Sequence, residues 1–433
     1  MSLRCSLLCV LCLVCTNCCR TSAQDSNALH EELDRLAEQV ESQVIAWRRD
    51  IHQHPELSNR EFRTSKIVAE HLTGLGMEVQ TGIAKTGVVG VLRGDPDGPV
   101  VALRADMDAL PITEKVDLPF ASRVLDTWEG EEVGVMHACG HDAHTAILMG
   151  VAQVLSQVCG RLPGTVKFIF QPAEEIVSGA RLMIEEGVLE NPVPDAVFAL
   201  HLLNQPTGTI NYRSGYFGSS GHMLSIDVIG RGGHGARQWQ GVNPVIVASQ
   251  IVLGLQTISS SQIDIYGNPS VVSVCMIHGG DKPNVMPEKV SIRGTTRFFR
   301  SEVGQDLAQR IKRTATQIAE SAGASAEVSL SPGPPALIND PELTRQMTPT
   351  LLRVAGGAMV RDGFPWSPGG DDFAEFTQHM PGLYFFLGVS ADGRKAPGLH
   401  SPKFFVDERA LIIGVRAVSN LAVDYLFIQS KNQ

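Results

Sequence analysis

Four clusters of polar side chains in this chain of 433 residues carry the residue types that bind metals and move protons. Three occupy residues 105–111, 137–144 and 171–175, and the fourth is His201. Histidine nitrogen, cysteine thiolate and carboxylate oxygen are ligands for zinc and similar divalent ions. A carboxylate beside such ions can take a proton from water as a general base. The residue types therefore favour a metal-dependent hydrolytic centre.

Each of these residues alone has a simpler explanation. A lone buried histidine is more often a core residue, and a lone cysteine near a helix start behaves as a small hydrophobe. However, Cys139, His141 and His144 fall within six residues of one another. Glu174 and Glu175 follow an apolar strand and a proline, where a pair of acids is costly without cations. The density of the set indicates a metal site.

The polar clusters follow apolar runs that predict buried strands. These runs, at 88–92, 100–103, 166–170 and 196–200, are bounded by glycine or proline, and helical stretches separate several of them. Continuous apolar runs of this length are typical of an α/β fold with a mainly parallel sheet covered on both faces. Ligands bind beyond the carboxyl ends of such strands. We therefore expect the four clusters to converge on one site.

A change of pattern after about residue 212 predicts a second domain. Residues 215–221 are rich in glycine and serine and indicate a linker. Between 224 and 331 the patterns run strand, helix, strand, strand, helix, strand, which is the ferredoxin-like order. The predicted division is a signal segment at 1–23, a first catalytic part at 24–214, an inserted lid domain at 215–332 and a second catalytic part at 333–433.

The amino-terminal segment has the layout of a secretory signal peptide. Arg4 precedes a short apolar run, no acid occurs before Asp25, and small residues end at Ala23. We expect cleavage after Ala23 and an exported protein, secreted or periplasmic, without stable membrane insertion; a retained anchor is the alternative. Six of the nine cysteines lie in this segment. The other three are too few for a disulfide framework.

Several remaining features receive ordinary explanations. The net charge of −10 argues against nucleic acid as a partner, because phosphates require a basic face. Cys159 and Cys275 are most simply buried hydrophobes. His52 and His54, two apart on a helix, do not share a face and indicate helix-end polarity. The glycine-rich string at 230–235 fits a dinucleotide pattern, but no helix opens after it, so nucleotide binding is disfavoured.

Several strings resemble those of the di-metal amidohydrolase and aminoacylase family of metallopeptidases. That family includes hippurate hydrolase, N-acyl-amino-acid amidohydrolases and the plant indole-acetyl-amino-acid hydrolases. The strings are DMDALP at 106–111, HACGHDAH at 137–144, QPAEE at 171–175 and LHSP at 399–402. The resemblance runs from about Trp47 to Val423. It implies a two-metal catalytic domain with an inserted ferredoxin-like lid that often mediates homodimers.

The resemblance also implies roles for individual residues. Glu174 matches the general base that acts on metal-bound water, and Asp108 matches an acid that supports the metal site. His234 matches a lid histidine that polarises the scissile carbonyl, while Asn284 and Arg297 match positions that hold the substrate carboxylate. The implied ligands of two divalent metals, Mn or Zn ahead of Co or Ni, are Cys139, His141, Glu175, His201 and His400.

The activity implied by the resemblance is hydrolysis of the amide bond of a small molecule, an N-acyl or N-aroyl amino acid. Two alternatives stay open: a dipeptidase or carboxypeptidase of the same di-metal class, and a non-catalytic metabolite-binding protein on this scaffold. The chain departs from relatives at Trp239, which follows the lid histidine, and at Asp371, where relatives have glutamate. Trp239 either lines the acyl pocket or is an exposed aromatic residue.

Overall fold

The computed structural model of the chain describes residues 6–391 and 397–431, with side chains other than those of 6–27 and 358. The strands, in chain order, are β1 (Glu78–Ile83), β2 (Gly87–Arg93), β3 (Val100–Asp106), β4 (Leu125–Trp128), β5 (Glu131–Gly134), β6 (Thr165–Gln171), β7 (Ala196–Pro206), β8 (Ile210–Asn211), β9 (Gly215–Gly218), β10 (Ser220–Ile229), β11 (Gly233–His234), β12 (Val271–His278), β13 (Val285–Met286), β14 (Lys289–Phe298), β15 (Ser325–Pro332), β16 (Leu337–Asn339), β17 (Val360–Arg361) and β18 (Gly382–Ser390). The α-helices are α1 (Ser6–Gln53), α2 (Phe62–Gly74), α3 (His141–Gln157), α4 (Gly179–Glu185), α5 (Pro244–Thr257), α6 (Ser301–Ser321), α7 (Pro341–Ala355), α8 (Phe373–Phe376) and α9 (Leu411–Gln429).

The chain forms two compact units. The first contains Met1–Tyr212, Glu342–Asp362 and Met380–Gln433, and the second contains Arg213–Pro341 and Gly363–His379. The first unit is built on a sheet of eight strands in the order β1-β2-β6-β3-β7-β18-β8-β17. Its central pairs, β6 with β3, β3 with β7 and β7 with β18, are parallel, and antiparallel pairs occur toward both ends. This confirms the predicted α/β fold.

The central strands of the first unit are buried on both faces. Every residue of β6 and of β18 is buried, and α1, α3 and α9 contribute to the same apolar core. Burial on both faces explains why these strands are continuous apolar runs rather than alternating ones. Strand β3 ends at Asp106 and β6 ends at Gln171, while β7 carries His201. Two polar clusters therefore begin where the parallel strands β3 and β6 end, whereas His201 lies within β7 and not beyond its end as predicted.

The second unit has the ferredoxin-like fold that its pattern predicts. Its four-stranded antiparallel sheet has the order β12-β14-β10-β15, which places the first and third strands of the motif in the middle. Helix α5 connects β10 to β12, and α6 connects β14 to β15. Residues along β14 alternate between buried and less buried positions, because one face of the sheet packs on the helices.

Two boundaries differ from the sequence-based division. The predicted linker at 215–221 is strand β9 and the start of β10, and Phe217 within it is fully buried. Residues 333–341 and 363–379, assigned to the second catalytic part, cluster with the second unit instead. The cause is strand pairing, since β16 pairs with β9, and the amide of Ser367 donates to the carbonyl of Phe217 at 2.7 Å.

The predicted signal segment falls partly outside the described residues, and the side chains of its remainder are not described either. Among described residues, Pro244–Gln262 and Glu408–Gln429 are long and apolar enough to cross a membrane by composition, but 72% of the apolar window of the second is buried, as in a core helix.

Cys159 is half-buried and Cys275 is exposed, so their prediction as buried hydrophobes was wrong.

Candidate metal centre

The first unit brings all five predicted metal ligands together. The Cys139 Sγ lies 3.4 Å from His201 Nε2. One oxygen of Glu175 lies 3.9 Å from His141 Nε2, and the other lies 3.5 Å from His400 Nε2. The residues come from separate segments of the chain, which meet at the carboxyl end of the parallel strands. Groups of their ligand atoms lie within 4.8 Å of one another, the spacing of a shared metal site.

Backbone geometry at two residues allows this convergence. Gly140, between Cys139 and His141, has a φ of 90°, and a Cβ atom there would lie 2.9 Å from Leu202 Cδ1. Only glycine fits a left-handed backbone with so close a neighbour. His400 has a φ of 63°, and its amide donates to the carbonyl of Ala138 at 2.8 Å. The loop that carries His400 is thus tied to the cysteine loop.

The orientation of the imidazole rings suits metal binding. His141 Nδ1 donates to the carbonyl oxygen of Asp108 at 2.9 Å, and His201 Nδ1 donates to the carbonyl oxygen of Leu202 at 2.7 Å. Each donation directs the other ring nitrogen into the cluster as an electron-pair donor. His141 Nε2 and Glu175 Oε1 are buried and make no hydrogen bond within the described part of the chain. Polar atoms buried in this way fit a site that metal ions complete.

The pKa shifts of the donor groups also fit a metal site. Burial, with help from the neighbouring Glu175, raises the pKa of the Cys139 thiol well above its ordinary value. Burial also raises the pKa of Glu175 to about 7. Burial alone would lower the pKa of His141, but Asp106 and Cys139 raise it well above its ordinary value. The donors therefore hold protons that divalent cations would displace, converting the thiol to a thiolate ligand.

The Asp108 carboxylate contacts several residues of the cluster. Its two carboxylate oxygens accept the backbone amides of Glu174 at 3.1 Å and Glu175 at 3.0 Å. Its Oδ1 also lies 3.3 Å from His141 Nδ1. Glu174 is 8% exposed, and its carboxylate falls within the same group of ligand atoms as His141 and Glu175. Asp108 therefore sets the position of both glutamates and of one histidine.

His144 lies close to the predicted ligands, but both of its ring nitrogens have other partners. Its Nδ1 donates to Asp106 Oδ1 at 2.6 Å, and its Nε2 accepts the amide of Leu202 at 2.9 Å. Arg104 Nη1 donates to the other oxygen of Asp106 at 2.7 Å. Because both of its ring nitrogens are hydrogen-bonded, His144 holds strand β7 in place next to His201.

The structure places the three predicted substrate-binding residues in the second unit. His234 on β11 pairs with Val285, and the Gly235 amide donates to the carbonyl of Asn284 at 2.8 Å. His234 and Asn284 line one cavity of about 600 Å³ within this unit. Arg297 lies on β14 opposite Gly221 and does not line that cavity. Trp239 is 78% exposed, which agrees with its interpretation as an exposed aromatic residue.

Two buried acid networks were not found from the sequence. His52 was interpreted as helix-end polarity, but it is 1% exposed, and its ring nitrogens face Asp142 at 2.9 Å and Glu114 at 3.2 Å. Glu61 is fully buried and binds the loop that carries Glu174. Spacing along the chain gives no signal for either residue, because their partners lie in distant segments.

This fold and site define a class of protein. An α/β unit with cysteine, histidine and carboxylate donors beyond its parallel strands, joined in one chain to a ferredoxin-like unit, is the construction of a two-domain metallohydrolase. The family model for peptidase family M20/M25/M40 matches residues 102–424. The chain belongs to this family, and it is a metal-dependent enzyme of the class that hydrolyses amide bonds.

Known relatives cover nearly the whole chain. N-acetylcysteine deacetylase of Bacillus subtilis is 39% identical over 88% of this chain and 96% of its own length. IAA-amino acid hydrolase ILR1-like 2 of Arabidopsis thaliana is 36% identical over 93% of this chain and 90% of its own. The crystal structure of the Bacillus subtilis YXEP protein, a dinuclear metal binding peptidase from the M20 family, is 37% identical, with a TM-score of 0.76 over 90% of this chain and 99% of its own.

Proposed function

We propose that the chain hydrolyses the amide bond of N-acyl or N-aroyl amino acids, releasing a carboxylic acid and a free amino acid. The observation that carries the proposal is the convergence of Cys139, His141, Glu175, His201 and His400, all buried or partly buried except the exposed His400, with the Glu174 carboxylate beside them. Similarity to a deacetylase and to an amino acid conjugate hydrolase supports this substrate class.

The five donors would hold two divalent metal ions. Manganese or zinc is the first choice, while cobalt and nickel are also compatible with thiolate, imidazole and carboxylate donors. When bound, such ions lower the pKa of a water molecule and polarise the substrate carbonyl. Asp108 holds His141 and the two glutamates in place for them.

Glu174 is assigned the proton transfers. Its carboxylate takes a proton from the attacking water as the water oxygen bonds to the amide carbon. The same proton then passes to the amide nitrogen as the carbon–nitrogen bond breaks, which yields a carboxylic acid and an amine. A positioned carboxylate of this kind contributes roughly 10²–10⁴-fold to the rate.

In the second unit, His234 is assigned to the scissile carbonyl, and Asn284 and Arg297 are assigned to the substrate carboxylate. A guanidinium group binds a carboxylate through two parallel hydrogen bonds, which suits Arg297 to this task. Arg297→Met should therefore raise KM for an N-acyl amino acid far more than for the corresponding amino acid amide. Equal effects on both substrates would reject this assignment.

The decisive experiment is Glu174→Gln, assayed on acetyl-, benzoyl-, indole-acetyl- and fatty-acyl-amino acids after reconstitution with each metal. Turnover should fall by at least about 100-fold while the metal content per chain stays unchanged. Glu185→Gln, an exposed glutamate at the end of α4, is the matched control and should behave as wild type. Near-normal turnover of the Glu174→Gln variant would refute the mechanism.

A dipeptidase or carboxypeptidase activity is the second candidate function. A specific observation favours including it, since Thermostable carboxypeptidase 1 of Saccharolobus solfataricus is 38% identical over 92% of this chain. Dipeptides and amino-terminally blocked dipeptides in the same panel separate the two activities. A chain that holds metals and hydrolyses neither class would instead be a metabolite-binding protein.

Export and self-association form part of the proposal. Cleavage after Ala23 predicts an exported protein whose new amino terminus is Gln24, which mass spectrometry of the protein from its native host would show. A homodimer through the second unit is suggested by apolar side chains that are half or more exposed on its surface, namely Ile246 and Leu253 on α5 and Met276 on β12. Sedimentation of wild type and Leu253→Ser at equal concentration tests the dimer.

A further inference from the structure

Glu61 is a fully buried acid with an unusual set of partners. It immediately precedes helix α2, yet its carboxylate does not cap that helix. One oxygen instead accepts the amides of Asn59 at 3.0 Å and Ala173 at 2.9 Å, and the other accepts the Thr86 hydroxyl at 2.6 Å. The Glu61 carboxylate therefore binds a loop 112 residues away in the chain and not the first turn of α2.

The loop that Glu61 reaches is the one that carries the proposed base. Three consecutive amides of this loop donate to buried carboxylates: Ala173 to Glu61, and Glu174 and Glu175 to the two oxygens of Asp108. The Ser58 hydroxyl donates to Asp108 Oδ2 at 2.6 Å, which joins the segment before α2 to the same arrangement. Two acids from different segments thus fix the backbone on which both glutamates stand.

The backbone at Ala173 needs such support. Its φ of 53° lies in the left-handed region, which costs a non-glycine residue roughly 1 kcal/mol or more. This turn separates the end of β6 from Glu174 and determines the direction in which the Glu174 side chain leaves the backbone. The carbonyl of Ala173 is also engaged, because it accepts the amide of Gly179 at 3.2 Å. Removing the Glu61 acceptor would leave the Ala173 amide buried without a partner and release the turn.

We propose that Glu61 is a positioning residue for hydrolysis, which holds the Ala173 turn so that Glu174 keeps the orientation needed for proton transfer. The inference rests on the proposed function, in which Glu174 is the base. Burial is expensive for a carboxylate, and here burial and the nearby Asp108 raise the pKa of Glu61 to about 7. The burial of Glu61 is therefore better explained by its contact with the 173–175 loop than by a role in helix α2.

The test compares Glu61→Ala with Glu61→Gln and with Glu56→Ala in the full-length, metal-loaded protein. Glu56 is the matched control, because its carboxylate likewise accepts two backbone amides, of Arg63 and Thr64, and a threonine hydroxyl, but it does not reach the 173–175 loop. Glutamine keeps an acceptor for Ala173 and can donate to the Thr86 oxygen, so it should restore the function that alanine removes.

We expect Glu61→Ala to lower kcat about 10- to 100-fold, with KM changed less than about threefold and metal content unchanged. Glu61→Gln should recover most of kcat, and Glu56→Ala should lower thermal stability while its kcat stays near wild type. If Glu61→Ala does not fold, Glu61→Asp gives the same test, because it keeps the charge but shortens the reach to Ala173.

Equal kcat values for wild type and Glu61→Ala, or equal losses in Glu61→Ala and Glu56→Ala, would overturn the inference. A kcat loss accompanied by loss of metal would overturn it as well, because the residue would then act on the ligands and not on Glu174. These outcomes leave the proposed function intact as long as wild type hydrolyses the substrates and Glu174→Gln does not. A wild-type chain without turnover would overturn both.

Discussion

Arg48 and Asp142 form an ion pair with almost no exposed surface: Arg48 Nε donates to Asp142 Oδ2 at 2.7 Å, and the side chains are 1% and 0% exposed. Arg48 lies on α1, and Asp142 lies in the first turn of α3, directly after His141, one of the proposed metal ligands. Burial opposes ionisation of Asp142, but Arg48 and His52 hold the pKa of its carboxyl far below the ordinary value. The pair therefore fixes the helix that presents His141.

Removing one member of this pair should be strongly destabilising. Arg48→Ala leaves the Asp142 charge buried beside His52 alone, and we expect the free energy of unfolding to fall by about 3–5 kcal/mol. Arg49→Ala is the control, because Arg49 pairs with Glu408 from a half-exposed position and its loss should cost at most ~1 kcal/mol. Urea unfolding measures the free energy of unfolding of both variants. Similar decreases in the two variants would contradict a special role for the buried pair.

Replacing the Cys139 thiol should release metal. Cys139→Ala removes a buried donor shared by the cluster, so metal content measured by mass spectrometry should fall below two ions per chain and turnover should fall with it. Cys275→Ala removes an exposed thiol outside the cluster and should keep both metal and activity. Full metal content in the Cys139→Ala protein would show that this thiol is not a ligand.

The buried Glu61 should give stability a specific pH dependence. Its pKa is about 7 in the folded chain against 4.5 for the free side chain, so between these values the folded state holds a proton that the unfolded state has released. Stability therefore falls as pH rises from 4.5 to 7, by an amount on the order of 3 kcal/mol from this group. Glu61→Gln should lack this component, so wild type should lose stability relative to the variant over that range. Parallel pH curves in chemical denaturation would argue against the raised pKa.

Lys167 offers a prediction remote from the metal centre. Its buried ammonium group donates to the carbonyl oxygens of Val188, Glu190 and Pro192 at 2.7, 2.7 and 2.9 Å. Lys167→Met keeps the side-chain length but leaves three acceptors without a donor, which should cost roughly 2–4 kcal/mol of stability. Lys66→Met, on a largely exposed side chain, should change stability by less than about 0.5 kcal/mol. Both variants should keep wild-type kcat at low temperature.

Much of the fold could be predicted from local patterns. Strands β6 and β18 are buried on both faces and therefore appear as uninterrupted apolar runs, while β14 alternates because only one of its faces is buried. The segment 215–221 could not be predicted in this way, because glycine and serine indicate a linker when considered alone. It becomes strand because distant parts of the chain supply its partners: β16 pairs with β9, and β14 pairs with the start of β10.

The candidate site could be predicted as a set of residue types and not as an arrangement. Cys139, His141 and Glu175 were identified by density and by family resemblance, and the structure brings their donor atoms together. His52 and Glu61 were not identified, because nothing near them in the chain distinguishes them from ordinary polar residues. Their roles come from acids and amides in distant segments.

The sequence by itself determined the donor groups, the order of the two domains and the family to which the chain belongs. Only the tertiary structure decided what each donor does. His141 and His144 lie three residues apart on one helix, yet their ring nitrogens have different partners. His141 Nδ1 donates to a backbone carbonyl, which leaves Nε2 facing the other candidate metal donors. Both ring nitrogens of His144 are hydrogen-bonded, one to Asp106 and the other to the Leu202 amide. The physical reason is that an imidazole is committed by its hydrogen-bond partners, and these partners are brought by strands remote in the sequence.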